Sequence, residues 1–133
     1  MSTVPLPRGP IDTPILVEYR LGGPDAVRFI TAIRLTGRPE LSELSAMVLV
    51  ANCQDTADLQ GLGWFWPGAN IHRITARISQ RAFRILERLT PPVPLTADDA
   101  IVAATATVHK LPLYTLDPGR FAAVPGLSVL QLY

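Results

Sequence analysis

The chain has 133 residues, of which 48% are hydrophobic and 17% are charged, a balance typical of a single folded domain over residues 1–133. Its net charge of +1 predicts no strong overall attraction to nucleic acids or anionic lipids, so any polyanion site has to be a local patch. One cysteine, Cys53, excludes an internal disulfide, and two histidines are too few for a structural zinc site. Because the sequence has neither a secretory signal pattern nor an apolar run of membrane-spanning length, we expect a soluble, cytoplasmic protein with no membrane partner.

The first third of the chain predicts short elements bounded by prolines and glycines. A brief strand is expected to end near Asp12, because prolines interrupt the apolar run at residues 11–17. The apolar spacing after Pro24 predicts a helix that stops at Gly37. Residues 41–44 favour a second short strand.

The middle of the chain predicts two helices. The first covers residues 46–60, with Ser45 as its N-terminal cap, and a glycine-rich aromatic connection (GLGWFWPGAN) follows at residues 61–70. The second covers residues 71–89, where apolar residues recur at spacings of three and four. Beside this apolar stripe runs a stripe of arginines: Arg73, Arg77, Arg81, Arg84 and Arg88.

The last part of the chain predicts a helix and two strands. Thr96 opens an alanine-rich helix, and Asp99 stands at the spacing of a capping box. Residues 111–116 (LPLYTL) predict a buried strand, residues 117–119 (DPG) a turn, and residues 126–133 a final strand. Because strands alternate with helices, the sequence predicts an α/β domain with a mainly parallel sheet.

Four aspartates lie where parallel sheets bind their ligands, beyond the carboxyl ends of the strands. Asp12 follows the first strand, Asp117 follows the strand at 111–116, and Asp98 and Asp99 lie at a helix N-terminus. Clustered carboxylates repel one another and are preferred ligands of Mg²⁺ or Mn²⁺, so a bound ion would explain such a cluster. Each aspartate equally suits a plain structural role as a cap, a turn residue or a charge at a helix start.

Two segments of the sequence carry a family resemblance. IDTPILVEYRLG at residues 11–22 and LTADDAIVAATATVHKLPLYTLDPGRF at residues 95–121 resemble PIN-domain nucleases, especially the VapC-type toxins of bacterial toxin–antitoxin pairs. The resemblance implies a three-layer α/β/α PIN-like fold with a central, mainly parallel sheet. It also implies that Asp12, Asp99 and Asp117 are catalytic, metal-binding residues and that Thr115 is the hydroxyl residue of the last turn.

The sequence departs from the family pattern in two places. The family carries a metal-site Glu early in the helix after its second strand, in a Thr-x-x-Glu-Leu context, and Val48 stands in that position here. Glu43 lies five residues earlier, on the strand side, and is an auxiliary candidate together with Asp98. The first strand is also interrupted, since PLPRGPID stands where aliphatic residues normally precede the first Asp. The resemblance is therefore stronger for the fold than for the activity.

The resemblance implies a Mg²⁺- or Mn²⁺-dependent endoribonuclease that hydrolyses RNA phosphodiesters, weakened by Val48 in the usual Glu position. The alternative is a catalytically inactive PIN-fold module that binds RNA or an antitoxin-like partner. The two hypotheses differ in whether the aspartates bind an ion that activates water.

Several surfaces are candidates for binding partners. Arg73, Arg77 and Arg81 could contact an RNA backbone, and the alternative is a solvated helix face. The aromatic residues at 64–66 could stack on bases, or they pack on the core or a partner. A mean hydropathy of +0.26 predicts self-association as a homodimer or pairing with another chain, with the aromatic turn and apolar residues of the helix from Ala26 as contact surfaces; the alternative is that all of this apolar surface is core. The resemblance implies an antitoxin protein as such a partner.

Overall fold

Seven α-helices and four short β-strands are interspersed along residues 5–131, the part of the chain that the computed structural model describes. The strands are β1 (Glu40–Ser42), β2 (Asn70–His72), β3 (Leu113–Tyr114) and β4 (Val129–Leu130), and a short 3₁₀ helix (Trp66–Gly68) precedes β2. This mixture of helices and strands agrees with the predicted α/β class, although helices come in pairs before the first three strands. The helices are α1 (Thr13–Arg20), α2 (Pro24–Thr36), α3 (Glu43–Ala51), α4 (Thr56–Phe65), α5 (Ala76–Leu89), α6 (Ala97–Val108) and α7 (Pro118–Phe121).

Strand pairing within the described residues is parallel throughout. β1 pairs with β2, and β3 pairs with β4. Pro10 and Ile11 lie between these two pairs, because Pro10 bridges to Glu40 and Ile11 bridges to Tyr114. The amide of Ile11 donates to the carbonyl of Glu40 at 2.8 Å. This segment thus connects the two strand pairs and ends at Asp12, while the three-layer arrangement stays a prediction.

The apolar core consists of two buried clusters. One contains Ile11 with side chains of α1, α2 and β1, and the other packs the alanines of α6 against Ile78 and Ile85 of α5. Phe29 and Ile30 of α2 are buried in the first cluster, whereas Val27 and Leu35 of the same helix are exposed, so a partner surface on α2 stays a prediction for its exposed side chains. Among the described residues, the helices lack the combination of length and apolar character needed to cross a membrane.

The helix predicted at residues 46–60 is two helices, α3 and α4. The hydroxyl of Ser42 caps α3 by accepting a hydrogen bond from the amide of Leu44 at 3.1 Å, so the helix begins before Ser45. Ser45, the predicted cap, is buried inside α3. α4 has its own cap at Asp55 and extends into the aromatic connection as far as Phe65.

The helix predicted at residues 71–89 begins only at Ala76. Ile71 belongs to β2, where it pairs with Leu41, and the hydroxyl of Thr75 caps α5. A single apolar residue at the end of a pattern satisfies the helical and the strand period equally, which explains the error. Arg73 consequently lies in the link before α5, away from the arginine stripe of the helix.

Other boundaries follow local chemistry. The helix after Pro24 ends at Gly37, and the capping box at the start of α6 is present, as predicted. Helix α1 was not predicted; the Asp12 side chain caps it, and its proline lies in the first turn, where proline is tolerated. The final strand is shorter than predicted, and residues 132–133 of that prediction lie outside the described residues.

Candidate functional site

Asp12 directly follows Pro10 and Ile11, the residues that bridge the two strand pairs, and it caps the start of α1. Its amide donates to the carbonyl of Tyr114 at 2.8 Å, and its Oδ1 accepts from the amide of Thr13 at 3.0 Å. Its Oδ2 accepts a hydrogen bond from the hydroxyl of Thr115 at 2.9 Å. Burial raises the pKa of Asp12, although the Thr115 hydrogen bond and the charge of Arg120 oppose that rise. Asp12 is therefore a buried carboxylate whose two oxygens both have protein partners.

Thr115 and Asp117 form the turn after β3. The buried hydroxyl of Thr115 accepts a hydrogen bond from the amide of Asp117 at 3.1 Å while it donates to Asp12. Asp117 caps α7, since its Oδ1 accepts from the amide of Arg120 at 3.2 Å. The Asp117 side chain is 60% exposed, in contrast to that of Asp12. The Thr115 hydroxyl thus fixes the turn that carries Asp117 against Asp12.

Asp99 belongs to the capping box of α6. Its Oδ2 accepts from the amide of Thr96, and its own amide donates to the Thr96 hydroxyl, both at 3.1 Å. Its Oδ1 faces the guanidinium of Arg120. Asp99 is buried, whereas the neighbouring Asp98 is exposed. Asp99 therefore combines the structural role of a cap with a place beside the other aspartates.

The guanidinium of Arg120 lies among the three aspartates. Its Nη1 is 3.2 Å from Oδ1 of Asp99, its Nη2 is 3.6 Å from Oδ2 of Asp12, and its Nε is 3.6 Å from Oδ2 of Asp117. The structure thus brings Asp12, Asp99 and Asp117 together around one cation. Sequence analysis did not single out Arg120; the available signal was its place three residues after Asp117, a spacing at which opposite charges meet on a helical turn.

These carboxylates, as they stand, do not fit a divalent ion. One oxygen of each aspartate accepts a backbone N–H, and the other faces Arg120. Within residues 5–131, no group of three or more Asp, Glu, His or Cys side chains is arranged to hold a metal ion. Two unit charges about 4 Å apart repel by about 4 kcal/mol at an effective dielectric constant of about 20, and a divalent ion doubles that repulsion. The guanidinium therefore competes directly with such an ion.

Glu43, the auxiliary acid suggested by the sequence, has a different role. Its Oε1 accepts from the amide of Ile74 at 3.0 Å, and its Oε2 accepts from Nη1 of Arg73 at 2.6 Å. The backbone hydrogen bond and then that from Arg73 lower the pKa of Glu43. Glu43, at the start of α3, therefore hydrogen-bonds to the link before α5 through both of its carboxylate oxygens.

Val48 is half-buried on α3, one helical turn after Ser45. The hydroxyl of Ser45 lies 2.8 Å from that of Thr13, the residue next to Asp12. Residues three apart share a helix face, so Val48 continues the face of α3 that meets the start of α1. Val48 contributes no oxygen ligand, and its correspondence to the family's Glu stays a prediction.

The outer face of α5 is basic. Ile78, Ala82 and Ile85 are buried, whereas Arg77, Arg84 and Arg88 are exposed and Arg81 is half-buried, which confirms the amphipathic arrangement of this helix. A small concavity of about 120 Å³ is lined by side chains of α5 and one proline: Arg81, Arg84, Ile85, Arg88 and Pro125. Contact with RNA stays a prediction for this face.

A second buried carboxylate, Glu40, was missed by sequence analysis. Arg8 donates to both of its oxygens, at 2.8 and 3.0 Å, while Asn70 donates to Oε1 at 3.3 Å and the Nε2 of His72 lies 2.9 Å from it. Burial raises the pKa of Glu40, but hydrogen bonds from His72 and Arg8 outweigh burial and lower it to about 2. The His72 ring stacks against that of His109, 4.4 Å between centroids. These partners lie about 30 residues or more from Glu40, beyond the reach of a local pattern.

A groove of about 390 Å³, lined by aromatic, aliphatic and arginine side chains, opens among α1, α2 and α4. Trp64 at its edge is 86% exposed, whereas Phe65 is buried in the core and Trp66 is half-buried. The guanidinium of Arg34 lies over the ring of Phe65, 4.9 Å from its centroid. The side chains that line the groove are Tyr19, Arg20, Val27, Arg34, Trp64 and Phe65, together with Gly61.

The fold is similar to solved structures of toxin–antitoxin complexes. A chain of DNA-bound VapBC from Salmonella typhimurium matches with a TM-score of 0.80 and 17% identity, over 95% of this chain and 98% of that chain. VapBC2 from Rickettsia felis, bound to a DNA fragment from its promoter, matches with a TM-score of 0.78 and 16% identity, over 92% and 97%. A toxin–antitoxin complex from Klebsiella pneumoniae matches with a TM-score of 0.78 and 25% identity, over 95% and 98%.

Sequence comparison gives a different outcome from fold comparison. No family model matches the chain, and no curated protein matches it. The likeness therefore lies in the fold, where it extends over more than nine-tenths of the chain. It confirms the resemblance to VapC-type toxins that the two sequence segments indicated.

Proposed function

We propose that this chain is the VapC-like member of a toxin–antitoxin pair, with a three-layer PIN-like fold, and that it functions by binding an antitoxin-like protein. The fold supports the pairing, because similar chains occur in toxin–antitoxin complexes. The observation that carries the binding function is the exposed indole of Trp64 at the groove among α1, α2 and α4, where arginines lie beside it. Exposed tryptophan and arginine side chains are enriched in protein-binding surfaces.

The charges at the groove indicate the chemistry of the bound segment. Arg20 is engaged within the chain, because it donates to the carbonyl of Asp58 at 3.3 Å and lies 3.9 Å from its carboxylate. Arg34 contacts the face of Phe65, an arrangement that leaves its N–H groups able to meet a partner's carboxylate. The segment that fits is therefore apolar, with an acidic residue at its flank.

Co-expression with candidate antitoxins, chosen as small proteins from neighbouring genes, tests the proposal. We expect one of them to co-purify with this chain, and Trp64→Ala to weaken the complex by about 30-fold or more, as for a tryptophan at the centre of an interface. Phe83→Ala is the matched control, since Phe83 is an exposed aromatic residue on a different helix, α5. A complex that tolerates Trp64→Ala as well as Phe83→Ala, or a failure to form any complex, would contradict the proposal.

A second candidate function is the Mg²⁺- or Mn²⁺-dependent endoribonuclease. The convergence of Asp12, Asp99 and Asp117 beside the Thr115 hydroxyl favours it. It requires Arg120 to leave the cluster, because the donor set does not fit the ion while the guanidinium is there. Incubation with RNA and Mn²⁺ separates the candidates: cleavage that is abolished by Asp12→Asn would establish the enzyme, and intact RNA supports a binding module.

We also propose a homodimer, supported by large apolar side chains left exposed on several helices. Leu35, Trp64 and Phe83 are 81%, 86% and 65% exposed. Light scattering on the isolated chain at tens of micromolar should give twice the mass of 14.5 kDa. A monomer would contradict the homodimer and leave the antitoxin-like partner untouched.

A further inference from the structure

We infer that Arg120 is the resident cation of the aspartate cluster: its guanidinium holds Asp12, Asp99 and Asp117 together at the place where a divalent ion would otherwise bind, and it keeps such an ion out. The inference is independent of the partner-binding function, because it concerns only contacts within the chain. In this arrangement a side chain of the protein supplies the positive charge at the aspartate cluster, so the cluster does not require a metal ion.

The shape of the guanidinium suits three separate partners. Each of its nitrogens faces an oxygen of a different aspartate, at 3.2 Å for Asp99 and 3.6 Å for Asp12 and Asp117. A planar cation with donors along its whole edge can bridge several carboxylates, as a metal ion does with its coordination sphere. Because these contacts are ion pairs with three residues, and not one bidentate pair, the guanidinium acts as a shared counterion.

The cluster needs a positive charge. Asp12 and Asp99 are both buried, and the charge of Asp99 disfavours ionisation of Asp12. Two carboxylates in a shared buried site repel unless a cation or a proton compensates them. Arg120 compensates both, and since its side chain is only 30% exposed, this charge is screened less than one on the open surface.

The backbone and the guanidinium of Arg120 both have contacts within the chain. Its amide donates to Oδ1 of Asp117, which sets the start of α7. Its guanidinium lies 5.3 Å from the ring centroid of Phe121, which is itself fully buried. The Nε atom is buried and makes no hydrogen bond, so its 3.6 Å approach to Oδ2 of Asp117 is a purely electrostatic contact. These contacts distinguish Arg120 from a surface arginine that happens to lie near acidic groups.

Mn²⁺ titration of four purified proteins tests the inference: the natural chain, Arg120→Ala, Arg120→Lys and Arg28→Ala. Arg28 is the matched control, because it pairs with Asp25 on the exposed side of α2. We expect the natural chain and Arg28→Ala to show no rise in melting temperature with Mn²⁺. Arg120→Ala should melt at a lower temperature in EDTA and bind Mn²⁺ at least about tenfold more tightly, with Mn²⁺ restoring its melting temperature. Arg120→Lys keeps the charge and should still exclude the ion.

Two results would overturn the inference. One is Mn²⁺ binding by the natural chain that is lost in Asp99→Asn, which can be measured whether or not any Arg120 variant folds. The other is a folded Arg120→Ala protein with unchanged melting temperature and unchanged Mn²⁺ affinity. Arg120→Gln, which removes the charge but keeps a longer polar side chain than alanine, replaces Arg120→Ala should that protein fail to fold. Because these measurements involve no protein partner, they are separate from the test of partner binding.

Discussion

The hydroxyl of Thr115 donates a hydrogen bond of 2.9 Å to Oδ2 of Asp12, a residue that lies 103 positions earlier in the chain. The same hydroxyl accepts the amide of Asp117 at 3.1 Å. One side chain therefore joins the segment before α1 to the turn after β3, and it supports a carboxylate that is buried in the fold.

Replacing Thr115 by Val should destabilise the protein by about 1–3 kcal/mol, because Asp12 and the Asp117 amide both lose a buried hydrogen-bond partner. The pKa of Asp12 should also rise, since the Thr115 hydrogen bond opposes the effect of burial. Chemical denaturation measures the first effect and NMR titration of the Asp12 carboxyl measures the second. Thr115→Ser keeps the hydroxyl and is the control; equal stability of the two variants would contradict this role.

Glu40 should make stability depend on pH in the acid range. Its pKa falls from 4.5 to about 2 on folding, so between these values the unfolded chain binds more protons than the folded one. The stabilisation is complete above pH 4.5 and is lost as the pH falls toward 2. Denaturant titrations should show a smaller acid loss for Glu40→Gln, which keeps the side-chain shape without the charge.

The groups around Glu40 are Arg8, Asn70 and His72, with His109 stacked on His72. Other carboxylates titrate in the same range, so the informative quantity is the difference between the natural chain and Glu40→Gln. Parallel stability curves for these two proteins from pH 5 to pH 2 would show that the contacts of Glu40 do not favour its charged form.

The basic face of α5 should contribute to binding of single-stranded RNA. We expect Arg77→Ala combined with Arg81→Ala to weaken binding of every sequence tested, and to lower the dependence of log affinity on log salt by about one for each lost phosphate contact. Fluorescence anisotropy at several salt concentrations measures both quantities. Arg28→Ala is the control on α2, and a salt dependence equal to that of this control would indicate a solvated helix face.

Val48 should be able to complete a metal site once Arg120 is removed. In the Arg120→Ala background, Val48→Glu adds an oxygen ligand and a negative charge, so Mn²⁺ should bind about tenfold more tightly than to Arg120→Ala alone. Val50→Glu is the matched control, because Val50 is an exposed valine two residues along the same helix. Calorimetry that gives equal affinities for Val48→Glu and Val50→Glu would mean that Val48 does not face the aspartates.

Local chemistry explains the features that the sequence predicts well. Thr96 and Asp99, three residues apart, form the hydrogen bonds of a capping box, and Gly37 directly follows the last residue of α2. Both features can be recognised from a few consecutive residues. The resemblance places Asp12, Asp99 and Asp117 in order along the chain, although it assigns them to a metal ion. The cap and the helix end need only neighbouring residues, whereas the order of the aspartates comes from the resemblance.

The features that the sequence does not predict depend on distant parts of the chain. The strand at Ile71 forms because Leu41 lies beside it, while its own spacing also suits a helix. The Glu40 carboxylate is stabilised in its buried position by contacts with Arg8, 32 residues before it, and His72, 32 residues after it. Arg120 follows the same rule, because its role exists only after folding brings the three aspartates to one place.

Diffraction from crystals soaked in Mn²⁺ tests the central claim most directly. Anomalous scattering locates the ion independently of the protein atoms. We expect no anomalous peak between Asp12 and Asp99, with the guanidinium of Arg120 between these carboxylates and that of Asp117. A manganese peak coordinated by Asp12 and Asp99, with Arg120 turned away from them, would contradict it and would favour the metal-dependent nuclease.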